Sequence, residues 1–308
     1  MADVISWEEA VRWFRRQPGN EQGVLDNFFD LPVLPAAKRF SESAEYREMR
    51  RILGHGRGRR IFDLGAGHGV TSYALAKDGW KVTALEPDRS DEVGAGAIEQ
   101  WRRETGLAVD ILTDPQPPFS IEAASMDAVI ARQVLHHVPD LTACLRELAR
   151  ILKPGGLILT SRDHVVDDER QLAQFLGSHP LQPLYGGENA HPLAVYLTSF
   201  CDAGFEIQEV WGAVESILNF FPGTEAARRR MLIDRIRTGK FSRFAKTFAF
   251  LQKFQRQAAR DLVNRDRTPG RLYSILARKP VDPAMASRTA DALARWVPPA
   301  RKPKVLPK

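Results

Sequence analysis

Ile61-Phe62-Asp63-Leu64-Gly65-Ala66-Gly67-His68-Gly69, followed by Glu86 at the end of a second apolar run, is the stretch that decides how this chain is read. An apolar strand enters a glycine-rich turn and leaves it in a helix predicted over 70–77. An acidic residue about 20 positions beyond the first glycine has the spacing that reaches a ribose diol in a nucleotide-binding βαβ unit. The glycines are spaced Gly65-x-Gly67-x-Gly69. A dinucleotide fingerprint needs its third glycine at position 70, where Val70 stands, and Asp63 ahead of the turn is foreign to it. Both departures point away from NAD and FAD.

Each part of the turn has a physical role. Gly65 and Gly67 allow a tight turn and a close approach of ligand that a Cβ would block. The N–H groups opening the next helix suit a carboxylate. Glu86 is able to accept two hydrogen bonds from ribose hydroxyls, and Asp63 to order the turn by accepting backbone N–H groups. Ala66 and Pro87 flank these groups; Asp114, just after the third strand, is placed to meet an adenine amino group directly or through its neighbour's backbone, and Gln133, at the end of the fourth, faces the same crevice.

Outward from the turn, strand and helix alternate. Strands are predicted over 60–64, 81–86, 107–112, 127–131 and 157–161, with helices over 70–77, 91–105 and from a cap at Asp140 to a stop at Gly155-Gly156. Helix 165–179, a turn-rich segment 179–191, helix 192–204 and strand 205–211 follow. A helical insertion over 223–267 leads directly to a final strand, 271–277, read as antiparallel. This alternation implies right-handed crossovers, an α/β doubly wound, mostly parallel sheet, and a ligand site beyond the carboxyl ends of the strands. Before the core, Ser6 and Glu9 form a capping-box pattern, Pro32 and Pro35 break the chain, and Ser43–Leu53 is a second helix. The domain reading is an N-terminal helical lid (1–55), a core (56–280) carrying the insertion 223–268, and a basic Pro-rich tail (281–308) with one short helix around 287–296.

The hydrophobic fraction of 44% is that of a globular protein, and no apolar run of about 18 or more residues suggests a membrane span. No signal-peptide pattern opens the sequence, and its two cysteines make no disulfide framework or zinc spacing, so a reducing cytoplasm is expected. The net charge is +6, but residues 223–268 hold 13 Lys/Arg against 4 Asp/Glu, or +9, leaving −3 for the rest. Phe241, Phe244, Phe248, Phe250, Leu251 and Phe254 interleave with those charges. A solvated face over an aromatic core stripe explains most of them; a basic surface near the acceptor site, for a phosphorylated substrate or an anionic membrane surface, is the functional reading.

Taken together these motifs resemble class I S-adenosylmethionine-dependent methyltransferases, of the type 11-like kind, over about residues 58–165. Ile61–Gly69, Glu86, Thr113-Asp114, Met126–Ala131 running into Val134-Leu135-His136-His137-Val138, and Leu152-Lys153-Pro154-Gly155-Gly156 carry the resemblance, in order. It implies a Rossmann-like seven-stranded sheet with an antiparallel last strand, S-adenosyl-L-methionine as cofactor, and a donor site built from Asp63, Gly65, Ala66, Gly67, Glu86, Pro87, Asp114 and Gln133. The segments Ser178–Leu181 and Leu184–Ala190 resemble a subset linked to polysaccharide or other carbohydrate biosynthesis. That subset implies O-methylation of a sugar or phosphorylated glycan intermediate. An RNA or protein methyltransferase using the basic insertion, and a non-catalytic cofactor-binding protein, are the competing readings; no RNA-binding module is visible.

For an acceptor hydroxyl the candidate bases are His164, after the fifth strand, and His137, in the His136-His137 pair whose other member bonds backbone carbonyls. Asp163, after the fifth strand on the ligand-binding edge, and Tyr185, Glu188, Asn189 and His191, in a polar loop beside the site, are the candidate substrate contacts. Asp167 and Asp168 read as helix N-caps; a Mg²⁺ site built from Asp163 and these acids is the alternative, but nothing in their spacing compels it and no metal ligand is assigned.

Overall fold

The computed structural model describes residues 4–238 and 252–298. Strands β1 (Arg60–Leu64), β2 (Lys81–Leu85), β3 (Val109–Leu112), β4 (Met126–Arg132), β5 (Leu152–Val166), β6 (His191–Pro192), β7 (Glu206–Trp211) and β8 (Arg271–Arg278) form one sheet in the order β3-β2-β1-β4-β5-β8-β7, with β6 paired to β5. β1 to β5 run parallel, and β8 lies antiparallel between β5 and β7. Successive residues point to opposite faces, so each strand feeds two cores. Ile61, Val82, Ala128 and Ile130 pack with the helices at 33–41, 44–53, 70–77 and 95–105 on one face. Phe62, Leu64, Val129, Ala131 and Ile158 pack with the helices at 141–151, 193–202 and 289–296 on the other. The Rossmann-like doubly wound reading holds, and the antiparallel strand is where the sequence put it.

Several boundaries moved. Gly155-Gly156 does not stop a helix: the 141–151 helix ends at Ile151, and residues 152–156 already belong to β5, where Gly156 packs against Asp127 O and Lys153 O with no room for a Cβ. Val165 and Val166 end that strand instead of opening a helix; the helix starts at Glu169, capped by Asp168, whose carboxylate accepts the Gln171 N–H at 2.8 Å. Asp167 is not a cap but pairs with Arg271. Pro35 does not break the chain. It sits in the first turn of the Val33–Ser41 helix, where a missing N–H costs nothing. The 95–105 helix begins at Ala95, not Asp91, and β6 adds an eighth strand to the seven expected.

The N-terminal helix Trp7–Arg16 carries the expected capping box and is tied to the core through Glu92, which receives Arg12 and Arg15. Of the insertion, helices Glu225–Thr238 and Gln252–Val263 are seen, packed on each other through Leu232, Ile236, Ala258 and Ala259. Phe241, Phe244, Phe248, Phe250 and Leu251 lie outside the described residues, while Phe254 is partly buried against that small core. The short helix of the tail, Thr289–Trp296, docks Ala292 and Trp296 into the main core. No helix among the described residues is long and apolar enough to cross a membrane.

Candidate active site

Strand order reverses between β1 and β4, and a cavity of about 910 Å³ opens beyond their carboxyl ends. Its first end is the glycine turn. Gly65, Gly67 and Gly69 all have positive φ, at 63°, 55° and 80°. Their reasons differ. A Cβ on Gly65 would stand 2.5 Å from Val134 Cγ2, and one on Gly69 2.7 Å from Ile98 Cγ1. At Gly67 it would meet nothing nearer than Val93 O at 3.7 Å, so only the backbone conformation and the open approach call for glycine there.

Glu86 is held at this turn. One carboxylate oxygen accepts the Gly67 N–H at 2.7 Å and the other the Asp88 N–H at 2.9 Å, leaving lone pairs on both. Burial raises its carboxyl, and the two backbone donors oppose that rise. Asp63, fully buried, accepts from Ser72 Oγ at 2.6 Å and so ties β1 to the first turn of the following helix. Burial pushes its carboxyl up to about 7. Gly65, Ala66, Gly67, Glu86, Pro87 and Gln133 all line the cavity, as does part of Asp63. Asp114 does not: it is exposed and accepts the Gln116 N–H at 3.0 Å, while Pro115, Gln116, Pro117 and Phe119 form that wall. Removing the Glu86 carboxylate takes away two charge-assisted acceptors, so Glu86→Ala is expected to weaken S-adenosylhomocysteine binding by roughly 30- to 150-fold. Calorimetry checks this; an unchanged affinity would sink the ribose assignment.

The second end is assembled from distant segments. Trp7 and Phe14 from the N-terminal helix, Phe29, Leu181 and Tyr185 form an apolar wall. The Trp7 ring lies tilted against Tyr185 at 4.7 Å and edge-on to Phe29 at 5.9 Å, and Ile5 N–H donates to Leu184 O at 3.0 Å. His68, His136, His137, His164, His179 and Glu188 also line the cavity, His68 beside Phe29 and Glu188 bonded to Tyr185.

A bulge delivers part of this group. The pairing of β5 with β8 shifts between Thr160 and Asp163, with Arg162 at φ 62°, so β5 carries one extra residue there. Such a bulge swaps the faces of the residues after it. His164 then reaches the cavity while Asp163 turns inward beneath the 3₁₀ turn Leu135–His137. Asp163 accepts the His136 backbone N–H at 3.3 Å and lies 3.1 Å from its Nδ1. Burial pushes the Asp163 carboxyl up to about 7, against the pull of the backbone donors of the turn. Burial also drives the imidazoles of His136 down to about 3 and of His164 and His68 to about 4, leaving them neutral at pH 7.

The structure thus brings His137, His164, Tyr185 and Glu188 together on the cavity wall. Asp163 sits behind it, and neither Asn189, whose carboxamide oxygen accepts the next backbone N–H, nor His191, edge-on to Tyr196, lines it. Sequence reasoning missed His68, His179 and the apolar wall. The signals were coarser: the N-terminal helices carrying Trp7, Phe14 and Phe29 were read as a lid, Tyr185 as a substrate contact, and 179–191 as a turn-rich loop beside the site. It also missed Arg132, which lines the cavity and pairs with the fully buried Glu45.

A methyltransferase-domain family model matches residues 37–209. With the glycine turn and Glu86 in place, the chain belongs to the class I S-adenosylmethionine-dependent methyltransferases. A ubiquinone biosynthesis O-methyltransferase from Methylocella silvestris is 37% identical over 105 residues, 34% of this chain and 40% of that protein. One from Bordetella avium is 29% identical over 153 residues, 46% of this chain and 61% of that protein. The chain therefore spans less than two thirds of the length of these curated relatives. Among solved structures, a geranyl diphosphate C-methyltransferase from Streptomyces coelicolor, crystallised with S-adenosyl-L-homocysteine, superposes with a TM-score of 0.53 at 16% identity, covering 88% of this chain and 97% of that one. A phosphoethanolamine N-methyltransferase from Haemonchus contortus gives 0.51 at 19% identity, covering 90% and 61%. At those identities the solved structures establish the fold alone.

Proposed function

We propose that this chain transfers the sulfonium methyl of S-adenosylmethionine to a hydroxyl oxygen of a small, largely apolar aromatic acceptor. The observation that carries the reading is one continuous cavity with a glycine-and-carboxylate end and an aromatic-and-imidazole end. The donor's sulfonium methyl would point from the first end toward the second. An acceptor oxygen attacks the methyl carbon, the carbon–sulfur bond breaks, and its electron pair returns to sulfur as S-adenosylhomocysteine leaves. Holding both reactants in line supplies most of the acceleration.

The proton of the hydroxyl goes to His137. Its Nδ1 lies 2.8 Å from the carbonyl of Gly187, which an Nδ1–H donates to, so Nε2 carries the free lone pair. His164 is less accessible, held edge-on to His136 and bonded through Nδ1 to Gly270 O at 2.8 Å.

The expectation of a sugar or glycan acceptor is not carried forward. The wall is Trp7, Phe14, Phe29 and Leu181, and the relatives named above are, by their names, enzymes of ubiquinone biosynthesis. No residue of the basic insertion lines the cavity among the described residues, and its charges are partly spent on internal pairs such as Arg228–Glu225 and Arg235–Asp261. That weakens both the phosphorylated-substrate reading and the RNA or protein alternative. The test is a panel of acceptors incubated with S-adenosylmethionine. Phenols with apolar substituents should release S-adenosylhomocysteine; release with nucleotide sugars but not with phenols would overturn the acceptor class.

A further inference from the structure

Within the acceptor end, one potential ligand atom from each of His136, His164 and Glu188 lies within 4.8 Å of the others. The two imidazoles are already oriented from behind. His136 Nδ1 faces the Asp163 carboxylate at 3.1 Å, and His164 Nδ1 faces Gly270 O at 2.8 Å. Each backing acceptor places the proton on Nδ1 and leaves the lone pair on Nε2, pointing away from it. A carboxylate or carbonyl behind each histidine is the usual outer shell of a metal-binding imidazole.

Glu188 supplies the independent sign. Its side chain is only 7% exposed. One oxygen accepts the Tyr185 hydroxyl and lies 3.6 Å from His179 Nε2. The other, Oε2, is buried with no hydrogen-bond partner, 3.9 Å from His136 Nε2 and so beyond hydrogen-bond reach of it. A buried carboxylate oxygen without a donor is costly. The neighbours that could relieve it are imidazole nitrogens offering lone pairs, which repel it. A cation among the three groups satisfies all of them at once.

We infer that His136, His164 and Glu188 form a site for one divalent first-row transition-metal ion. Two neutral imidazoles and one carboxylate suit zinc, manganese, iron or cobalt and not the all-oxygen preference of magnesium or calcium. Bonds of about 2.0–2.2 Å need the ligand atoms roughly 3.3 Å apart in a tetrahedron, so the cluster closes by an ångström or so on loading. Three protein ligands leave a position open to the cavity, as in catalytic rather than structural sites. On the methyl-transfer reading proposed above, the open position would take the acceptor oxygen and favour its ionised form. The binding claim itself does not depend on that reading.

The experiment is calorimetric titration of the chelator-stripped full chain with Zn²⁺, and separately Mg²⁺, with no donor or acceptor present. One Zn²⁺ per chain is expected, with Mg²⁺ at least 100-fold weaker. His164→Ala and Glu188→Gln should each weaken Zn²⁺ binding more than 100-fold while retaining S-adenosylhomocysteine binding and a cooperative melt. Asp163→Asn should weaken it roughly 10- to 100-fold through His136 alone. Absence of Zn²⁺ binding, Mg²⁺ binding as tight as Zn²⁺, or Zn²⁺ binding untouched in both ligand variants would each overturn the site. Because the titration needs no turnover, zinc binding without methyl transfer would leave the site standing and remove only the function proposed above.

Discussion

Glu45→Ala is expected to destabilise the fold by about 3–5 kcal/mol, the range for stripping one partner from a buried ion pair. Glu45 is fully buried in the first turn of the Ala44–Leu53 helix. Its two oxygens accept from Arg132 Nε at 2.8 Å and Nη2 at 3.1 Å, a bidentate pairing across 87 residues. The Arg132 guanidinium also lies 5.3 Å over the Phe40 ring and donates to Gln133 Oε1 at 2.8 Å. Without the carboxylate, a guanidinium only 13% exposed is left without its countercharge. Chemical unfolding measures the loss. Glu45→Ala combined with Arg132→Met should recover much of it, since the unpaired charge is then gone. A loss below about 1 kcal/mol would mean that water reaches Arg132 and that the pair behaves like a surface bridge.

His137→Gln is expected to lower turnover by roughly 10²- to 10⁴-fold, the usual worth of a positioned general base. Glutamine keeps a hydrogen-bonding group near Gly187 O but takes no proton. S-adenosylhomocysteine affinity should stay within about threefold, because His137 bonds Gly187 O and shares no hydrogen bond with the glycine turn or Glu86. The informative measurement is turnover at saturating acceptor alongside donor affinity. Turnover that survives the substitution would move the proton acceptor elsewhere in the imidazole cluster. A parallel loss of donor affinity would mean the variant disturbed the 3₁₀ turn at residues 135–137, not the proton transfer.

Much of the donor end was legible in the sequence because its determinants are local. Glycine spacing dictates the turn, the apolar runs dictate flanking strands, and Glu86 is brought to Gly67 by pairing of the neighbouring strands β1 and β2. The acceptor end was legible only in pieces: two candidate histidines, an N-terminal lid and a polar loop. His137, His164 and Glu188 were each singled out, but nothing in their spacing tells that the bulge at Arg162 turns Asp163 inward and His164 outward. A one-residue change of parity in a strand leaves no periodic trace in fifteen residues of mixed composition.

Sequence alone determined the fold class, the antiparallel last strand and the donor class, and its spacing picked out Glu86 as the carboxylate proposed for the ribose. These depend on the backbone's local conformational limits and on side-chain periodicity, both written along the chain. Tertiary structure alone decided that Trp7 and Phe14 close over Tyr185 and Leu181, that Glu45 neutralises Arg132, and that three histidine- and glutamate-bearing segments meet around an unpartnered oxygen. Those arrangements depend on which distant surfaces bury each other, and burial is a property of the packed whole.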